Sequence, residues 1–206
     1  MATMEYENKY YDEGYELIVG MDEAGRGPLA GPLVIACVIL PKDYINKDIN
    51  DSKKLSEKKR EILFQEIQKV AKYIGVKIVD EATVDALNIY AATKKGMEDL
   101  IKEIPFKVDV VLVDAMKIEL SETKVVPLIH GDALSTSIAA ASIIAKVTRD
   151  HIMYDLDKEY PVYGFKNNKG YGTKSHMEAI EQYGICKHHR LTYYPVSKYA
   201  QMKLDV

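Results

Sequence analysis

The chain has 206 residues, 47% hydrophobic and 29% charged, enough apolar material to bury a full core as one domain. Its formal net charge of −3 means that a nucleic-acid partner would have to be met by local basic patches, not by the field of the whole molecule. The opening MATMEYENKYYDEGYE lacks a basic n-region and an apolar h-region, and no later run has the length of a membrane span, so a cytoplasmic protein away from membranes is expected.

In chain order, residues 1–16 read as an extension ahead of the first strand. Leu17 to Met21 and Pro32 to Leu40 are apolar runs joined by a Gly/Pro turn and read as a hairpin, with Ala71 to Val79 as a third strand of an antiparallel set. Ser56 caps a helix whose apolar positions Ile62, Leu63, Ile67 and Val70 recur at helical spacing, leaving Lys54, Lys58 and Lys59 on a solvated face. A second helix is expected from about Thr83 to Glu103. Val108 to Val113 is a β-branched and apolar run, apart from Asp109, that ends in Asp114, the pattern of a central strand buried on both faces, and Val125 to Ile129 is a shorter strand. Leu134 to Tyr160 reads as one long helix whose alanines permit close approach to the sheet. A last helix covers Lys174 to Tyr183, capped by Thr173 and stopped by Gly184. The expected fold class is α/β: a mixed five-stranded sheet flanked by helices in a single domain, 1–206, with about 161–206 as a C-terminal helical lobe. Cys37 and Cys186 lie outside any nucleophile motif and read as reduced thiols, and His151 and His176 as helix-surface residues.

Chemistry enters where apolar runs stop at acids: Asp22 and Glu23 after the first strand, Asp114 after the fourth, Asp132 before the long helix. If those two strands are neighbours, the carboxylates converge at one edge of the sheet, and like charges in a partly desolvated site need a cation. An all-oxygen ligand set suits Mg²⁺ or Mn²⁺. Directly after Glu23, the Gly25-Arg26-Gly27 turn offers backbone amides and a guanidinium suited to phosphate and sugar oxygens.

Five segments carry a resemblance in chain order: MDEAGRGP at 21–28, DSKKL at 51–55, VLVDAM at 111–116, GDALSTSIAAASIIAKVTRD at 131–150 and NKGYGTKSH at 168–176. Together they resemble type 2 ribonuclease H, which cuts RNA in RNA–DNA hybrids and incises 5′ of single ribonucleotides embedded in duplex DNA, in ribonucleotide and primer removal. The resemblance implies a ribonuclease H-like fold and a two-metal mechanism leaving 3′-hydroxyl and 5′-phosphate ends. It places the metal ligands on Asp22, Glu23, Asp114 and Asp132, with Asp22 bridging two Mg²⁺ or Mn²⁺ ions, Glu23 and Asp114 on the leaving-group ion and Asp132 on the nucleophile ion. It further implies that Gly25, Arg26 and Gly27 read the 2′-hydroxyl and adjoining phosphates, and that Tyr171 stacks on the sugar of the following nucleotide.

Ser52, Lys53, Lys146, Arg149 and the run Lys187 to Arg190 are expected to position the nucleic-acid backbone, whereas Asp150 reads as structural. Two positions depart from the family pattern: His130 stands where a lysine commonly precedes Gly-Asp, and Gly172 where proline often follows the tyrosine. Type 3 ribonuclease H, which is poor at single ribonucleotides, is the nearest alternative. About sixteen residues before the first strand, where that family usually has an N-terminal domain, and the presence of Tyr171 favour type 2. A non-catalytic nucleic-acid-binding module would be expected to have lost an acid, and none is lost. A monomer is expected, with protein partners unknown.

Overall fold

Buried β-branched runs form the centre of the sheet. The strands are β1 (Ile18–Ala24), β2 (Leu33–Ile39), β3 (Tyr73–Val79), β4 (Val110–Asp114) and β5 (Lys124–Leu128), in the order β3-β2-β1-β4-β5. β1 runs antiparallel to β2, with Asp22 opposite Ala36, and parallel to β4, with Met21 beside Val113. β4 is parallel to β5, with Asp114 beside Leu128. The carboxyl ends of β1 and β4 therefore emerge side by side, where sheets with parallel neighbours place their ligands. The structure, a computed structural model, describes residues 2–202 and divides into two units. Unit 1 comprises Met1–Ala24, Val34–Lys77 and Thr93–Val147; unit 2 comprises Gly25–Leu33, Ile78–Ala92 and Thr148–Val206.

In unit 1 the N-terminal extension is not featureless: it forms helix α1 (Glu5–Asp12). Tyr10 and Tyr11 are buried, in one cluster with Ile18, Val110, Leu112, Leu128 and Ile138. Its aliphatic-poor sequence hides this, because tyrosines supply the apolar face. Helix α2 (Glu57–Val70) starts at Ser56, whose hydroxyl accepts from the Lys59 amide at 3.3 Å. Leu63 and Ile67 are buried as expected, but Ile62 is 50% exposed, one position off the buried stripe.

Two expected helices are broken. Residues 83–103 fall into α3 (Glu81–Leu87) and α4 (Ile89–Lys102), separated by Asn88 at φ 64°. At this positive φ the helix cannot continue, and the Asn88 side chain starts the next one by accepting from the Ala91 amide at 3.0 Å. The long helix is preceded by the short α5 (Gly131–Leu134), and α6 (Thr136–Glu159) begins after an extended Ser135. Thr3 bridges the break, its amide donating to the Leu134 carbonyl and its carbonyl accepting from the Thr136 amide, both at 3.0 Å. Buried Glu7 reinforces it, accepting from Ser135 Oγ at 2.6 Å and Ser137 N at 2.8 Å. At its start α6 lies against β1 so closely that a Cβ on Gly20 would sit 2.0 Å from the Ser137 carbonyl carbon.

Unit 2 packs Leu29, Met153, Leu156, Tyr163, Phe165 and Ile180 with the helices α7 (Phe165–Asn168), α8 (Lys174–Tyr183) and α9 (Val196–Met202). Thr173 caps α8 and Gly184, at φ 76°, ends it, as the sequence predicts. His176 is not a surface residue: it shares the buried stripe of α8 with Ala179 and Ile180, three and four positions on. His151 is exposed.

Candidate active site

In unit 1, Asp22 stands near the end of β1, Asp114 ends β4, and Asp132 lies in the first turn of α5. Each offers a carboxylate oxygen within 4.8 Å of the others. Asp22 and Asp132 are buried and Asp114 is half-buried. The Glu23 amide donates to Asp22 Oδ1 at 2.7 Å, and the Gly131 amide to Asp114 Oδ1 at 2.7 Å, so main chain orients two of the three carboxylates. Glu23, one residue beyond Asp22, is not among the three. Its side chain is half-buried, and its charge acts on the Asp22 carboxyl.

Burial holds the Asp22 carboxyl well above the usual range, the charges of Glu23 and Asp114 add to this, and hydrogen bonds from Ser142 and the Glu23 amide oppose it. Asp132 is raised too, by burial and then by Asp114 and Asp51, with Lys53 opposing. The Lys53 ammonium stands 3.8 Å from Asp132 Oδ2 on a side chain that is 79% exposed, so it offsets little of the repulsion. Three hard oxygen donors with a surplus of negative charge fit a divalent cation. Ser142 and Asp51 are not among the expected site residues, although both lie in segments that carry the resemblance, Asp51 opening DSKKL and Ser142 within 131–150. Ser52 is buried, its hydroxyl 2.8 Å from that of Ser142, which removes the side chain from the backbone contacts expected of it. Lys146 is half-buried on α6.

In unit 2, the Gly25-Arg26-Gly27 turn is built on a buried arginine. Arg190 donates to the carbonyls of Gly25 at 2.6 Å, Arg26 at 3.1 Å and Gly31 at 2.8 Å, and the Tyr193 hydroxyl also donates to Arg26 O. A trans peptide carries its C=O and N–H on opposite sides, so the amides of Arg26 and Gly27 face away from Arg190. Gly25 has φ 99°, and a Cβ there would sit 2.2 Å from Arg149 Nε. The turn therefore needs glycine for backbone strain and for the arginine packed beneath it. The Arg26 side chain is exposed. Tyr171 is 48% exposed, with its Cε1 3.6 Å from where a Gly27 Cβ would lie.

Arg149 is not available to phosphates. Fully buried, it donates to Pro32 O at 2.9 Å, Ala30 O at 3.1 Å and Lys169 O at 2.9 Å, and burial pushes its guanidinium down to about 10. The run Lys187 to Arg190 is likewise structural: Lys187 pairs with Glu159 at 3.1 Å, His188 with Glu81 at 3.0 Å, and His189 and Arg190 are buried. Composition marked these residues as basic, but only packing shows which guanidiniums are consumed as scaffolding.

The mixed sheet and its converging carboxylates agree with the ribonuclease H-like, metal-dependent nuclease that the resemblance implies. The family model of ribonuclease HII matches residues 19–196, and the chain belongs to the ribonuclease HII family. A ribonuclease HII of Geobacillus sp. (strain WCH70) is 52% identical over 200 residues, 97% of this chain and 72% of that one. The crystal structure of ribonuclease H2 from Pyrococcus horikoshii OT3 is similar with a TM-score of 0.79 at 26% identity, covering 93% of this chain and 100% of that one. RNase HII from Archaeoglobus fulgidus, solved in complex with PCNA, gives 0.74 at 28% identity, covering 86% and 95%. The chain is thus a ribonuclease H, an endonuclease that degrades the RNA of RNA–DNA hybrids with divalent metal ions as cofactor.

Proposed function

We propose that this enzyme also incises duplex DNA on the 5′ side of a single embedded ribonucleotide, leaving 3′-hydroxyl and 5′-phosphate ends. The observation that carries the reading is the convergence of Asp22, Asp114 and Asp132 within 4.8 Å at the ends of two adjacent parallel strands. These three and Glu23 are the proposed ligands. Held by these four carboxylates, two Mg²⁺ or Mn²⁺ ions would lower the pKa of a water and stabilise charge on the leaving 3′ oxygen. The chain's own part is to hold the carboxylates rigidly on β1, β4 and α5, and to fix the sugar and phosphates.

The Arg26 and Gly27 amides face outward from a turn whose carbonyls are held by Arg190, so the turn offers donors to a 2′-hydroxyl or a phosphate. Exposed Tyr171 is the stacking residue, and Lys53 and Lys146 hold the backbone. We read the enzyme as one cytoplasmic catalytic domain, 1–206, active as a monomer. The test is cleavage of labelled duplex DNA carrying one ribonucleotide, with Mg²⁺, with Mn²⁺ or with EDTA, beside an all-DNA control. Metal-dependent incision 5′ of the ribonucleotide is expected; cleavage of long hybrids alone would refute it and favour a type 3 activity.

A further inference from the structure

We propose that His176 is a positioning residue for Tyr171, the last link in a chain of hydrogen bonds from Cys186 through His189 that sets the preference for single embedded ribonucleotides. The inference rests on the reading of Tyr171 as the residue that stacks on the sugar. The Tyr171 ring is half exposed, so burial of the ring does not restrain it strongly. Its main chain is held instead. The Tyr171 amide donates to Asn168 O at 2.9 Å, and its carbonyl accepts from the Thr173 amide at 2.8 Å and from His176 Nδ1 at 2.9 Å.

The chemistry of the partners dictates where the protons are. A carbonyl only accepts, so His176 carries its proton on Nδ1, and in a neutral ring Nε2 is then an acceptor. That Nε2 faces His189 Nε2 at 3.1 Å, so His189 donates from Nε2. His189 Nδ1 must then accept, and the Cys186 amide donates to it at 3.0 Å, with Cys186 Sγ at 3.2 Å. One pair of tautomers satisfies every contact; the reverse pair would direct Cys186 N–H at an N–H and leave His176 Nδ1 with no proton for Tyr171 O.

Both rings are buried and stay neutral: desolvation pushes His189 down to about 4 and lowers His176 as well. The Cys186 thiol is raised by burial and remains uncharged. The groups facing the pair are Tyr163, edge-on to His189 at 4.9 Å, Phe165, edge-on to His176 at 5.4 Å, Cys186 and the Glu81-paired His188. Tyr163 is itself tied by its hydroxyl to Gly184 O at 2.9 Å. Buried between these rings and tied at both nitrogens, the His176 imidazole directs its Nδ1 proton at the Tyr171 carbonyl. The bond acts on Tyr171's main chain, so its loss should be read in the discrimination that Tyr171 supplies.

The test measures kcat/KM on a single-ribonucleotide duplex and on an RNA–DNA hybrid for the full chain, and takes their ratio. His176→Phe removes the donor but keeps an aromatic ring; the ratio is expected to fall about fivefold, the scale of one hydrogen bond. His176→Asn, whose amide nitrogen can take the place of Nδ1, is expected to restore it, and in a Tyr171→Ala background His176→Phe should have no further effect on the ratio. An unchanged ratio in His176→Phe, no rescue by asparagine, or an undiminished effect in the Tyr171→Ala background would overturn the proposal. If Tyr171→Ala alone left the ratio unchanged, the stacking role would fail, and the proposal with it; a ratio moved by Tyr171→Ala but not by His176→Phe would sink only the positioning role. Independently of any variant's folding, long-range ¹H–¹⁵N spectra of the wild-type protein should show neutral His176 protonated on Nδ1 and neutral His189 on Nε2. The opposite tautomers, or a charged ring at neutral pH, would refute the chain.

Discussion

Burying Asp22 beside Glu23 and Asp114 raises its proton affinity, and the sign of that shift determines how the metal-free enzyme responds to pH. A carboxyl whose folded pKa is raised favours folding fully below its unfolded value, near 4, and that contribution is lost as pH rises through the folded value. In EDTA, the thermal midpoint of Asp22→Asn should therefore exceed that of wild type by an amount that grows as pH rises above about 4. Each kcal/mol is worth about 2–4 °C in a chain of this size. Adding Mn²⁺ at neutral pH should raise the wild-type midpoint more than that of the variant; equal shifts would show that the cation binds elsewhere. Asp114→Asn should lower kcat/KM on the single-ribonucleotide duplex by roughly a hundred- to a thousandfold, the scale of losing one electrostatic stabiliser, with no loss of folding by circular dichroism.

The elements present these residues through close backbone contacts. Strand β1 and the start of α6 are separated only by the missing side chain of Gly20, where an added Cβ would meet main chain at 2.0 Å. Gly20→Ala should push them apart and destabilise by about 3 kcal/mol or more, seen as a lower urea midpoint, because backbone has no rotamer with which to yield. Arg149 does comparable work in unit 2 by satisfying three carbonyls. Arg149→Met should cost about 3 kcal/mol or more by stranding those acceptors. It should leave the salt dependence of substrate binding unchanged, whereas a phosphate-binding arginine would reduce it.

Across the whole chain, a net charge of −3 leaves affinity for nucleic acid to a few local contacts. With Arg26, Lys53 and Lys146 as the proposed phosphate ligands, log Kd of the Asp114→Asn variant for duplex substrate should rise with log salt with a slope near 3, and Lys53→Ala should lower that slope by about 1. A slope near 6 would mean that Arg149, Lys187 and Arg190 reach the backbone after all.

Much of the sheet and its acids was legible because strand signals are local. An unbroken apolar run such as Val110 to Val113 needs no knowledge of its neighbours to read as buried, and an acid that ends it is visible in the same window. Ser56, Thr173 and Gly184 were legible for the same reason, since a cap acts within one turn. Charge and polarity misled wherever burial decided the role. Arg149, Arg190 and His176 look like surface residues in sequence, and Tyr10 and Tyr11 look like part of a polar tail. Their partners are carbonyls and rings far along the chain, from Pro32 for Arg149 to Leu128 for Tyr10, and no window of ten residues contains them. The residue types and their order were enough to name the chemistry. Which carboxylates converge, and which cations are spent on scaffolding, follows from contacts between distant segments, because burial and hydrogen-bond partnership belong to the packed chain and not to any residue within it.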